Sequence, residues 1–308
     1  MDNGSLEKKM QQADYTLLRY QLRFKEDFLL PAYALLRLRR ELSRVLKGSL
    51  NDKWNHAEFR HLLQPALPTD PVLLRRVQQP APGFVLRIEQ LQSHMFLAGD
   101  LLPLPVCFFA RGMLLVEPFT RLLEALGSIG LCGNAGRFQL ESIEDDTDRI
   151  AHKKLWSGGP FQIAATISDL TRQLEGPSVS TLRFELLTPA RLLRNSRPLF
   201  HPHFIEIFPF ILRRVTGMLA AWADLEDIFD ARYLLECAAR IAESDNRLNW
   251  QDWRPLQQQE EAGGLCGSIT LNGRELVELW PLLRIGELCG IGKGAAFGAG
   301  RYRLIALD

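Results

Sequence analysis

Near the end of the 308-residue chain, five glycines fall within eleven residues: Gly290-Ile291-Gly292-Lys293-Gly294-Ala295-Ala296-Phe297-Gly298-Ala299-Gly300. Glycine takes positive φ freely and lets another backbone come close, so this density predicts a tight, exposed loop whose amides can face a ligand. With Lys293 and Arg301 beside those amides, a polyanion is the natural guest. The phosphate-binding loop of a nucleotide hydrolase would need Lys followed by Ser or Thr, and then a long helix. Residues 301–307 instead alternate in the manner of a strand. An ordinary hairpin turn is the other reading, and glycine alone does not separate the two.

The length allows one large or two medium domains with proper cores. Apolar residues at 46% and charged residues at 24% are ordinary for a soluble globular protein, and no apolar run is long enough to span a bilayer. Residues 1–5 open a polar segment rather than a signal sequence, so a cytoplasmic protein without membrane partners is expected. Cys107, Cys132, Cys237, Cys266 and Cys289 lie far apart with no CxxC pair. They read as reduced, buried side chains, and neither a disulfide framework, a metal site nor a cofactor is expected. A net charge of +1 gives no global signature of nucleic-acid binding, so any such signature must be local.

One local signature lies in the first helix. Residues 15–25 alternate as a half-buried strand with a basic outer face of Arg19, Gln21, Arg23 and Lys25. Pro31 then opens a predicted helix running to about residue 46, with Leu35, Leu38, Leu42 and Val45 as its apolar stripe. Arg37, Arg40, Arg44 and Lys47 recur at steps of three and four on another face, with Glu41 nearby. Such a run is commonly a solvated face, but like charges at these spacings repel, and a bound anion relieves that repulsion.

Beyond a proline-rich excursion with a short helix at 57–63, strands are predicted at 84–88 and 101–109, a helix at 119–126 and a strand at 137–143. The order to that point is β-α-β-β-α-β. Residues 144–175 read as an added hairpin and connection, and Gly176-Pro177 as the boundary between domains 1–176 and 177–308. A second cycle follows: a strand at 182–187, helices at 202–221 and 225–242, a hairpin of 249–257 with 265–271 across a Gly263-Gly264 turn, a helix at 274–283, the glycine loop and the last strand. The expected fold is α+β, with two tandem ferredoxin-like (RRM-like) domains, each an antiparallel sheet with helices on one face. That sheet is also the scaffold of the common single-strand RNA reader, but no pair of sheet aromatics of that reader's kind is present.

These residues resemble the CRISPR-associated repeat-cleaving endoribonucleases of the RAMP superfamily. The glycine stretch through Tyr302 is similar to that family's loop of two G-hydrophobic-G units. Trp280-Pro281-Leu282-Leu283 with Gly286-Glu287, and Thr188-Pro189-Ala190-Arg191-Leu192, support the match. Fainter likenesses are Leu30-Pro31-Ala32-Tyr33, Gly83-Phe84-Val85-Leu86 and Leu126-Gly127-Ser128-Ile129-Gly130-Leu131 leading to Gly136-Arg137-Phe138.

The resemblance implies metal-independent cleavage of a CRISPR repeat RNA at its stem-loop. The 2′-hydroxyl attacks the adjacent phosphate, leaving a 2′,3′-cyclic phosphate and a 5′-hydroxyl, and the mature guide RNA is retained. With RNA as the polyanion, Gly290, Gly292, Lys293, Gly294, Gly298, Gly300 and Arg301 of the loop, and Arg37 and Lys47 of the basic helix face, are the residues expected to hold it. Many relatives carry a histidine late in the first helix, where this chain reads Leu38-Arg39-Arg40-Glu41-Leu42-Ser43-Arg44.

Three readings stay open. Arg40 or Arg44 stabilises the phosphorane; or His56 or His61 supplies the base with Tyr33 and Lys53 assisting; or the chain binds without cutting, as a noncatalytic subunit holding guide RNA beside other effector-complex subunits. Trp250 and Trp253 could stack a base, with core packing as the alternative. His94 and His152 read as solvent-facing, and His201 and His203 as structural residues at a helix start.

Overall fold

A computed structural model describes residues 8, 10–11, 13–48, 56–65, 80–148, 151–173, 179–226, 228–252 and 263–307. The chain forms two compact units, one of residues 14–168 and one of residues 169–308 with 1–13.

In the first unit, β1 (Asp14–Phe24) and the short β2 (Phe28–Leu30) precede a 3-10 turn (Ala34–Arg37) that runs into α1 (Leu38–Gly48), followed by α2 (His56–Leu63). β3 (Phe84–Leu86), β4 (His94–Phe96), β5 (Leu101–Phe109), α3 (Val116–Ile129), β6 (Phe138–Asp145), β7 (Lys154–Trp156) and the two-residue β8 (Ser168–Asp169) complete it. The main sheet runs β3-β5-β1-β6-β7, with β8 off that path, and β2 pairs β4 as a separate ribbon. First strand central between third and fourth is the ferredoxin-like order. Phe119 of α3 meets the rings of Tyr20, Phe84 and Phe108 from three strands, at centroid distances of 5.4, 5.0 and 5.7 Å. This aromatic cluster seats the helical layer on the sheet. Buried Tyr20 also shares a hydrogen bond of 3.1 Å between its hydroxyl and Thr120 Oγ1, which satisfies its polar end.

The predicted basic face of β1 is present but neutralised. Arg19 Nε donates to Asp146 at 2.8 Å, Gln21 to Glu144 at 2.8 Å, and Arg23 to both Glu141 oxygens at 3.0 Å. The first helix also begins differently from the sequence expectation. Pro31 follows strand β2, and helical structure starts only after Tyr33, which sits at φ 59° and caps the 3-10 turn. A tyrosine in the left-handed region is strained, and Tyr33 is held there by its N–H donating to the Leu91 carbonyl at 2.8 Å. Helix α3 runs past Gly127, where a Cβ would lie 2.5 Å from the Phe138 carbonyl oxygen; this glycine permits close packing and does not end the helix.

The second unit contains β9 (Thr181–Ala190), a small hairpin of β10 (Leu193–Arg194) and β11 (Arg197–Pro198), α4 (Phe204–Ala223), α5 (Ala231–Arg240), β12 (Ala242–Ser244), β13 (Asn249–Asp252), β14 (Gly263–Asn272), α6 (Leu276–Cys289) and β15 (Tyr302–Ala306). Its sheet runs β12-β14-β9-β15 with β13 also on β14, the same plan as the first unit. Two expectations are corrected here. The Gly263-Gly264 pair lies inside β14, opposite Asp252 and Gln251, and is not a turn. The second strand of the repeat is β12, which has only three residues and no alternation to reveal it. Gly263 and Gly264 are small because a Cβ on either would press against Asp252 and Trp250, or against Pro189 and Ala190.

Candidate RNA-binding site

In the second unit, α6 ends at Gly290 and the glycine loop folds onto the end of β9. Ile291 N–H donates to the Gly300 carbonyl at 2.9 Å, Lys293 N–H to Arg191 O at 2.9 Å, and Gly300 N–H to Pro189 O at 2.9 Å. The buried Thr188 hydroxyl donates to Gly298 O at 2.7 Å and accepts from Arg301 N–H at 2.8 Å. The Thr188-Pro189-Ala190-Arg191 stretch is thus the socket of the loop. Tyr302 locks the strand that follows: its hydroxyl donates to Leu283 O at 2.7 Å, and a Cβ on Gly286 would lie 2.0 Å from the Tyr302 hydroxyl oxygen. Burial, with Glu287 and Cys289 nearby, pushes the Tyr302 phenol well above its ordinary pKa, so it stays neutral and donates.

All five loop glycines have positive φ, from 62° at Gly300 to 91° at Gly298. The expectation that their amides face a ligand needs correction, because most loop N–H groups donate inward. Those of Gly292, Gly294, Ala295 and Ala296 meet no acceptor among the described residues. Lys293 and Gly294 are exposed, and Arg301 is half-buried. An anion at this loop would therefore meet a short run of amides beside Lys293.

The first unit carries a second loop of the same construction, a feature the sequence reading missed. Gly130 N–H closes on Leu126 O at 2.7 Å and Leu131 N–H on Gly136 O at 3.1 Å; the counterparts are Gly290 on Gly286 at 2.9 Å and Ile291 on Gly300. Arg44 Nη2 donates to Gly130 O at 3.1 Å, and Arg214 Nε on α4 donates to Cys289 O at 3.2 Å. In each unit an arginine of the first helix ties down the carbonyl end of the last. Burial lowers the pKa of Arg214.

The sequence-predicted basic face divides accordingly. Arg44 is half-buried against the 130–136 loop, with Nη1 3.3 Å from Asn134 Oδ1 and Nη2 2.9 Å from Glu41 Oε2; Glu41 also accepts the Gly133 N–H at 3.3 Å. Arg37 and Arg44 both lie close enough to Cys132 to act on its charge, yet burial and Glu41 prevail and push that thiol up to about 11. Arg40 and Lys47 are exposed. Arg37 and Arg44 thus lie by one loop, Tyr33 is bonded to Leu91 of another, and the side chain of His56 and all of Lys53 lie outside the described residues. His61 is exposed on α2.

The remaining histidines are placed by structure. His94 is exposed on β4 with its ring edge-on to Phe96 at 4.5 Å. His152 Nδ1 is 3.4 Å from Asp146 Oδ1. His203 is the N-cap of α4, paired with Glu243 at 3.0 Å, which raises its pKa. Trp250 is half-buried, donating to Asp252 at 2.7 Å; Trp253 lies outside the described residues. No group of three or more His, Cys, Asp or Glu side chains suited to a metal is found among the described residues. No helix among them is long and apolar enough to cross a membrane.

The family model described as CRISPR-associated endoribonuclease Cas6 matches residues 184–302, from within β9 through the whole glycine loop to Tyr302. Residues 184–302 thus form a domain of the CRISPR-associated endoribonuclease Cas6 family. A second model, described as an N-terminal domain, matches residues 13–167 and so spans the first unit. No curated protein sequence matches. Among solved structures, a Cas6 product complex is 17% identical with a TM-score of 0.53, covering 95% of this chain and 100% of its own. Thermus thermophilus Cas6 is 16% identical with a TM-score of 0.54, covering 95% and 99%. A partial Cas6-RT-Cas1–Cas2 complex is 15% identical with a TM-score of 0.56; 96% of this chain covers 46% of that one. At these identities the likeness is one of fold, two ferredoxin-like units in tandem.

Proposed function

We propose that this chain, with its Cas6-type domain at residues 184–302, processes CRISPR repeat RNA and retains the mature guide. The observation that carries the reading is the family match over the glycine loop together with its socket at Thr188 to Arg191. Relatives described as product and substrate-mimic complexes support RNA as the ligand, and a relative in a Cas6-RT-Cas1–Cas2 complex supports other CRISPR proteins as partners.

The chemistry proposed is metal-independent. A 2′-oxygen attacks the adjacent phosphorus, the bond to the 5′-oxygen breaks, and that oxygen leaves with a proton, giving a 2′,3′-cyclic phosphate and a 5′-hydroxyl. Arg40 and Arg44 would stabilise the phosphorane, Tyr33 would assist, and His56 is the reserve base; arginine itself is a poor base because its pKa exceeds about 12. The amides of Gly292 and Gly294, with Lys293 and Arg301, would hold backbone phosphates. The stem-loop substrate is incubated with the protein in EDTA and the fragment ends are analysed. Cleavage to cyclic-phosphate ends upholds the reading; a 3′-hydroxyl product excludes 2′-attack.

The noncatalytic, guide-holding reading is favoured by one observation: α1 has no histidine, and Arg44 already spends its fork on protein acceptors. Tight repeat binding with no cleavage selects it.

The exposed part of the basic face makes a separate expectation. Each phosphate contact contributes about 0.7 to 0.9 to the log-log salt slope. Arg40→Ala with Lys47→Ala should therefore flatten the salt dependence of repeat binding by roughly 1.4 to 1.8. An unchanged slope returns this face to solvent.

A further inference from the structure

Beside the glycine loop's unit-mate α4 lies a cavity of about 250 Å³ that neither the loop nor α1 uses. Its floor is one face of α4: Glu206, Pro209, Phe210 and Arg213 recur at i, i+3, i+4 and i+7. Its rim is the β10–β11 hairpin, whose turn residues Asn195 and Ser196 both sit at positive φ, 51° and 63°. Two left-handed residues in succession are the geometry of a tight hairpin turn, usually taken by Asn-Gly. Serine in place of glycine there accepts strain, and the turn holds Asn195 on the cavity lining.

The chemistry of the lining is specific. Arg213 is exposed, and its guanidinium lies over the Phe210 ring at 5.1 Å. Among the described residues it makes no ion pair. Arg194, on the rim, is 3.2 Å from Glu206. The cavity thus offers a half-exposed aromatic face backed by a cation, an amide with donors and an acceptor, and two guanidinium groups against one carboxylate. That set suits a flat heteroaromatic ring joined to a phosphate. At about 250 Å³ it falls below the roughly 300–1,000 Å³ of pockets that enclose drug-sized ligands, so it has room for one base and not for a helical segment.

We propose that this cavity captures a single unpaired nucleotide of the repeat RNA, the base stacking on Phe210, its edge read by Asn195, and its phosphate held by Arg213. The proposal rests on the RNA-processing reading and adds a sequence-reading subsite to it, because a paired base hides its face and cannot stack there.

The test is a binding titration of the full chain with a labelled repeat stem-loop carrying unpaired flanks, and with a panel in which each flank nucleotide in turn is abasic. The parent should lose about tenfold in affinity at one flank position. Phe210→Ala should lose about tenfold on the intact RNA and nothing further on that one abasic RNA, while the other abasic RNAs still behave as in the parent. Arg213→Gln and Asn195→Gly, which keep the exposed surface and the left-handed turn, should show the same non-additivity at the same position. A merely structural loss would weaken every RNA in the panel equally and would overturn the proposal. Parent binding that Phe210→Ala and Arg213→Gln both leave unchanged overturns the subsite alone; a parent that does not bind repeat RNA overturns the subsite and the processing reading together.

Discussion

Gly300→Ala should lower the stability of the second unit by about 2 to 6 kcal/mol, the sum of left-handed strain and an overpacked backbone contact. The added Cβ would lie 1.9 Å from the Ile291 carbonyl oxygen, at a residue whose φ is 62°. Neither atom can yield cheaply, because Ile291 and Gly300 are joined by a hydrogen bond and Gly300 N–H is fixed to Pro189. Relief requires the loop to leave its socket, which also frees the Thr188 hydroxyl from Gly298. Urea unfolding followed by tryptophan fluorescence measures the loss, and repeat binding should fall with it. Gly292→Val belongs to the same class, since its Cβ would lie 2.5 Å from Arg191 O at φ 79°, so it cannot serve as a fold-neutral probe of RNA contact. Gly294 has the open position, with only the Ala299 Cβ at 3.5 Å, though its φ of 85° still strains a side chain. An unaltered midpoint for Gly300→Ala would mean that the socket does not hold the loop.

That contrast also marks what the sequence could convey. Glycine density announced a tight loop, because positive φ and close approach have no cheaper solution. It did not tell which way the amides point, since that depends on Thr188, Pro189 and Arg191, about a hundred residues earlier. Alternation likewise revealed β1, where one face is buried, and not β12, three residues held by pairing with Thr270, Leu271 and Asn272. The basic stripe on α1 was legible as spacing. Its division into a tied Arg44 and the exposed Arg40 and Lys47 was not, because the deciding groups, Gly130 O and Asn134, come from a loop some ninety residues on. Gly130 and Gly136 carried only a faint family likeness in sequence, because they are spaced more widely than the later five, although the two loops close with the same hydrogen bonds.

Arg44→Ala should slow single-turnover cleavage of the repeat stem-loop about a hundredfold, since one preorganised donor to a charged transition state is worth about 3 kcal/mol. The structure supplies a competing explanation that the experiment must remove. Arg44 anchors Gly130 and neutralises Glu41, whose side chain is only 15% exposed, so its loss also leaves a carboxylate without its partner. Two further variants separate the roles. Glu41→Gln keeps the Gly133 N–H acceptor and removes the charge that Arg44 now answers, leaving the guanidinium more available to phosphate. If Arg44 acts on the phosphorane, Glu41→Gln should cut at least as fast as the parent and bind repeat RNA more tightly. If Arg44 is only an anchor, Glu41→Gln should leave the rate alone, and Arg44→Ala should lose rate only as far as its thermal midpoint falls. Arg44→Lys completes the set: a lysine keeps the charge but not the planar fork, so bidentate hold on two phosphate oxygens is lost while simple neutralisation of Glu41 survives. A parent-like rate for Arg44→Ala, with a deficit confined to His56→Ala, would move the chemistry from α1 to the histidine that follows it.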